Sequence, residues 1–240
     1  MKKSVLAFPL VSILALVSQA EETVAKEPYN FGIALASPLQ RSEASADIEG
    51  FRFGGFFGVN RNVTGFDLGF AEVCSFESVG SFKGAQLSAI SWTESNFTGF
   101  QLAAFANIVK GSTDAMQMAF ANAVWEDCRG FQLGIVNYTV GLKGCQLGLV
   151  NWNDLASYGW DIGLVNANQM EFSGCALGVL NYAESHRGLA VGLVNCAYDV
   201  NGCQIGLVNA CDHMHGVQFG LVNMICGSPL PIMVIANAWF

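Results

Sequence analysis

The chain has 240 residues, of which 52% are hydrophobic, 12% charged and 27 Gly, and its formal net charge is −8. That acidity excludes binding dominated by nucleic-acid phosphates. Abundant Gly and sparse charge point to a repeat-rich all-β protein and away from a helical one.

In chain order, the N-terminus reads as an export signal. Lys2 and Lys3 form a basic start, Val5 to Val17 an apolar core, and Ser18, Gln19 and Ala20 a small-residue cleavage site. The apolar core is shorter than the roughly 20 residues of a membrane-spanning helix. No Cys lies at the expected cut, which argues against a lipid anchor. Cleavage removes Lys2 and Lys3 and takes the net charge from −8 to −10. Residues 21–49 hold one predicted strand, Asn30 to Ala36, and a polar loop, Gln40 to Glu49. They are expected to cap a repeat domain over residues 50–240.

Within that domain, one phrase recurs seven times. Its copies are FQLGIVN (131–137), CQLGLVN (145–151), WDIGLVN (160–166), CALGVLN (175–181), LAVGLVN (189–195), CQIGLVN (203–209) and VQFGLVN (217–223). The closing residues Asn137, Asn151, Asn166, Asn181, Asn195, Asn209 and Asn223 recur every 14 or 15 positions. Weaker copies run upstream through MQMAFAN (116–122) to FRFGGFF (51–57), and Asn237 extends the series downstream. About twelve units are predicted. A repeat this short is one supersecondary unit stacked many times.

Alternation inside the phrase has period 2, which predicts a strand. Strict alternation puts the residues flanking the central Gly on one face together with Asn, and Gln, Gly and Val on the other. The central glycines are Gly134, Gly148, Gly163, Gly178, Gly192, Gly206 and Gly220. Mid-strand Gly marks a bend or a close backbone approach. A second series, Gly144, Gly159, Gly174, Gly188, Gly202 and Gly216, precedes each phrase and predicts turns with positive φ.

Identical residues at constant spacing favour parallel, in-register stacking. The predicted fold is therefore an all-β repeat solenoid in which Asn side chains bond up and down a ladder. An antiparallel outer-membrane β-barrel is the alternative, suggested by the alternating apolar end at Ile232 to Phe240. The apolar phrase covers about seven residues, whereas a membrane strand needs roughly 9–11. End rungs left bare would invite end-to-end self-association, with residues 21–49 and the Pro229–Phe240 strand as the expected caps.

Eight Cys in an exported chain suggest disulfides. Cys145, Cys175 and Cys203 share one position in alternate repeats, however. Stacked strands about 4.8 Å apart would separate them by roughly 9–10 Å, beyond the roughly 7 Å that a disulfide spans. They are expected to be small buried hydrophobes.

Candidate chemistry is sparse. Asp212, His213 and His215 could surround a transition metal, but their spacing matches no closed zinc site and they fall in a predicted loop. No nucleophile elbow and no phosphate-binding loop occurs. Trp92, Trp125, Trp152, Trp160 and Trp239 sit at phrase edges with Tyr138, Tyr158, Tyr182 and Tyr198. They fit a carbohydrate-stacking face, an interfacial girdle or plain edge packing.

The phrase Gly-h-Gln-h-Gly-Leu-Val-Asn, with h apolar, resembles the surface repeat-containing proteins named from leptospires and found in other Gram-negative bacteria. Gly144 to Asn151, Gly202 to Asn209 and Gly216 to Asn223 carry the resemblance. The ending Pro229 to Asn237 followed by Phe240 is similar too. The resemblance implies an exported, envelope-associated protein; the repeats and the export signal point to an unknown surface ligand or envelope component as partner, and the barrel alternative would add association to the outer membrane. It brings no catalytic residues and no cofactor. Asp161, Ala176 and Ala190 depart from the Gln of the pattern and would interrupt a Gln ladder.

Overall fold

The computed structural model describes residues 28–36, 39–40, 45–74 and 80–240. The expected export signal at residues 1–20 lies outside them. The described residues form an all-β solenoid of about eleven turns, without helix. At about 4.8 Å per turn the rod is roughly 53 Å long. Strand pairing is parallel throughout except at the two ends. The barrel alternative is thereby overturned.

Equivalent residues stack upon one another. Asn137 pairs with Asn151, Asn151 with Asn166, Asn166 with Asn181 and Asn181 with Asn195. The first rung is Tyr29–Ala36, parallel to Asp47–Asn60. The expected loop from Gln40 to Glu49 thus ends earlier, because Asp47 already begins a strand that pairs with Asn62. At the far end, Ile232–Trp239 runs antiparallel along Val208–Ile225 and covers its edge.

From Val136 to Ile205, a coil is one bent strand or, at Val150–Asn153 and Ser157–Ile162, two short ones, and then turns at the central Gly. Val136–Leu147 is one such strand, with a register irregularity between Thr139 and Gly141. Two residues, Gly148 and Leu149, then turn the chain into the next coil. The phrase is therefore a corner between two short strands. Strict alternation fails across it, and the expected faces are corrected. Gln and Asn both point inward, and the apolar residues on either side of the Gly point outward: Gln146 and Asn151 are fully buried, whereas Leu147 and Leu149 are 36% and 48% exposed.

Both Gly series have steric causes. A Cβ on Gly148 would lie 2.6 Å from the Asn137 amide nitrogen and 2.6 Å from the Gly134 carbonyl oxygen. The corner glycine leaves the space that Asn occupies. The second series has φ between +126° and +155°, as expected, but sits within strands instead of turns. There, a Cβ on Gly159 would fall on the carbonyl oxygen of Gly144 in the coil before.

The apolar interior is thin. One row runs Val63, Phe82, Phe97, then Cys128 and Leu142, with the Phe82 and Phe97 rings stacked at 5.0 Å. Val200, Met214 and Ile225 form a second cluster near the C-terminal end.

Gly159→Ala should lower stability by more than about 3 kcal/mol, since backbone must move and an L residue is strained at that φ. Ser173→Ala, at a half-exposed site in the next coil, should change it by less than about 0.5 kcal/mol. Equilibrium unfolding in denaturant, followed by far-UV circular dichroism, measures both.

Candidate binding surface

The interior is built on two amide ladders. In the first, Asn Nδ2 donates to the next Asn Oδ1 towards the C-terminus: Asn137 to Asn151 at 2.9 Å, Asn151 to Asn166 at 2.8 Å, Asn166 to Asn181 at 2.8 Å. The same nitrogen donates to the carbonyl just before the next corner Gly, as Asn166 does to Leu177 at 3.0 Å. The second ladder runs the other way. Gln146 Nε2 donates to Gln132 Oε1 at 2.7 Å, Gln132 to Gln117 at 3.0 Å, Gln117 to Gln101 and Gln101 to Gln86, both at 2.8 Å. Gln86 then donates to Asp67 at 2.8 Å, and Asp67 accepts two bonds from the Arg52 guanidinium, at 2.7 and 2.6 Å. Arg52 and Asp67 are both fully buried, so the ion pair neutralises the ladder's end.

The expected interruption of the Gln ladder is present. Gln146 Oε1 meets no donor, because its register neighbour is Asp161. Asp161 is buried, accepts from Asn153 at 3.0 Å and Asn168 at 3.1 Å through Oδ2, and keeps Oδ1 without a partner. Burial raises its pKa from 3.8 to about 7, against the lowering effect of the two amides. Further on, Ala176 and Ala190 replace Gln and leave a cavity of about 10 Å³ beside His186 and Gln204. His186 is buried and stacked on Phe172 at 5.6 Å, with Nε2 unpartnered. Burial lowers its pKa to about 4.

The outer surface divides into two halves. The coil Cys145 to Trp152 shows the pattern: Cys145, Leu147, Leu149, Val150 and Trp152 face outward, while Gln146 and Asn151 face inward. In every coil from Ala85 to Met224, these five outward positions carry no charged side chain. Charges gather on the opposite edge, as in the pairs Lys110–Glu94, Lys143–Asp127 and Arg187–Glu171. Cys145, Cys175 and Cys203 lie on the uncharged half and are half-exposed, which corrects their expected burial, and all three are free thiols. Trp160 intervenes between Cys145 and Cys175, and Leu189 between Cys175 and Cys203.

The remaining sequence candidates do not converge. His213 packs edge-on against Tyr198 at 5.4 Å, and His215 against Phe240 at 5.8 Å. Asp212 gives its backbone carbonyl to Gly227 at 2.8 Å. Among the described residues, no group of three or more His, Cys, Asp or Glu side chains is placed to hold a metal ion. Comparison of the chain with protein-family models, curated proteins and solved structures finds no match.

Two measurements follow from the ladders. Asn166→Ala orphans one N–H of the Asn151 amide and the Oδ1 of Asn181, and should cost on the order of 3 kcal/mol. Asp161 holds its proton in the folded chain between pH 3.8 and about 7. Its contribution is therefore complete below pH 3.8 and is lost as pH rises to about 7, by on the order of 4 kcal/mol. His186 acts oppositely: its contribution is complete above pH 6.5 and is lost as pH falls to about 4. Asp161→Asn should therefore raise the Tm progressively between about pH 4 and pH 7, and unmask the loss from His186 on the acid side. Thermal melts across that range read the difference, and a constant offset would contradict it.

Proposed function

We propose that this chain is a non-catalytic, exported scaffold of the bacterial envelope, and that the uncharged lateral half of its rod is the binding surface. The observation that carries the reading is the repetition of five uncharged outward positions in successive coils. A monomer that needed only to fold would be free to place polar groups there. The interior accounts for the Asn, Gln and Gly columns by hydrogen bonding and close packing, which leaves the outer apolar columns unused by the fold. Among the described residues, the surface ion pairs support a scaffold as well, since Lys110–Glu94, Lys143–Asp127 and Arg187–Glu171 stand separately along one edge. Lys2, Lys3 and the apolar run from Val5 to Val17 support export, as does the resemblance to surface repeat proteins.

Expression of the full chain in a Gram-negative host, followed by intact-mass measurement of the envelope fraction, tests the export. The expected product begins at Glu21, and Leu14→Arg in the apolar core should leave the uncut chain in the cytosol. Wild-type chain retained in the cytosol with Met1 in place would overturn the proposal.

A further inference from the structure

The uncharged half is large and convex. Ten coils of about 4.8 Å give roughly 48 Å along the rod, and the eight residues from Cys145 to Trp152 trace roughly 26 Å around it. The product, roughly 1,200 Å², exceeds the 300–600 Å² that is usual for the largest apolar patch of a monomer. This surface wraps the Gly corner, with Cys145 and Leu147 on one flank, Leu149 at the apex and Val150 and Trp152 on the other. A rigid second copy could lie against one flank, which offers roughly 600 Å². A stable dimer buries about 800 Å² on each partner. The other flank and the apex would stay in water. A fluid apolar phase covers all three.

The border of the surface points the same way. Trp92 Nε1 donates to Glu94 at 2.6 Å, Trp152 Nε1 to Asp154 at 2.7 Å, and the Tyr138 hydroxyl to Asp154 at 2.6 Å. Each ring lies on the uncharged half while its polar atom is held at the charged edge. Amphipathic rings in this arrangement suit a boundary between hydrocarbon and water. Charge is also matched: hydrocarbon carries none, and none is presented to it.

We propose that the rod lies lengthwise on a lipid bilayer, with its Gly corner in the hydrocarbon boundary and its charged edge in water. This rests on the reading of the uncharged half as the binding surface and names its partner. The apex residues Leu149, Leu164 and Leu193, each about half exposed, enter the acyl layer first. Insertion depths of roughly 5–10 Å are typical of such surfaces. The chain is acidic, so binding owes nothing to anionic lipid.

Vesicle flotation of the full chain with phosphatidylcholine alone tests this. Wild type should float with the vesicles and remain bound in about 1 M salt, where exposed charges are screened within about 3 Å. The triple variant L149E/L164E/L193E should float at least tenfold less while keeping its far-UV circular dichroism, because all three side chains point outward. A second readout needs no variant: phosphatidylcholine brominated along its acyl chains should quench the Trp fluorescence of the bound wild type. Wild type left at the bottom of the gradient, as a monomer or as a dimer of two copies, would overturn the proposal. So would release by salt, equal flotation of a folded triple variant, or absence of quenching. Such failures leave the export reading intact, since cleavage before Glu21 is measured separately.

Discussion

The structure depends on one side chain, the Asn at the corner of each coil from Asn107 onward. Its amide nitrogen bonds both the next Asn and the carbonyl before the next corner Gly, as Asn166 does with Asn181 and Leu177. Its carbonyl accepts from the Asn before it, Asn151. Three hydrogen bonds therefore leave no buried polar atom of Asn166 unsatisfied, which is the condition for burying an amide at all. The requirement sets the rest of the repeat. At Gly163 and Gly178 a Cβ would crowd the Asn amides, and a corner needs the chain to return at a fixed length, so the period stays at 14 or 15 residues.

The Asn and Gln ladders run in opposite directions along the axis. Their amide dipoles therefore oppose each other, and neither end of the rod accumulates their sum. The unpartnered buried oxygens mark where ladders stop: Asn107 Oδ1 and Gln218 Oε1 at two ends, Gln146 Oε1 at the break before Asp161. The Asp67–Arg52 pair closes a third end with charge. Filling the interior with amides has a consequence outside. The apolar residues of the phrase have no interior left to fill, so the molecule places polar groups within and apolar groups without. That inversion is what makes the uncharged half available to a partner.

Much of the interior was legible in the sequence. Constant spacing of Asn and Gly predicts parallel in-register stacking, and stacking predicts both the Asn ladder and the impossibility of bridging Cys145, Cys175 and Cys203. The substitution of Asp161, Ala176 and Ala190 for Gln locates the ladder's break. The faces were not legible, because period-2 alternation was carried through Gly148 and Leu149, where the chain turns and inside and outside exchange. The uncharged half was hidden for the same reason: Leu147 and Leu149 share a face with Asn151 when the phrase is taken as one strand. The burial of Asp161 and His186 depends on which neighbouring coil faces them, and no local pattern shows it.

The most direct test of this inverted packing is solution NMR of the labelled chain with a soluble paramagnetic relaxation agent. Signals of the Leu164 methyl groups should broaden strongly, while the side-chain amide of Asn166 should remain sharp and exchange slowly with deuterium. A shielded Leu164 beside an accessible, rapidly exchanging Asn166 would contradict the polar interior on which the fold rests.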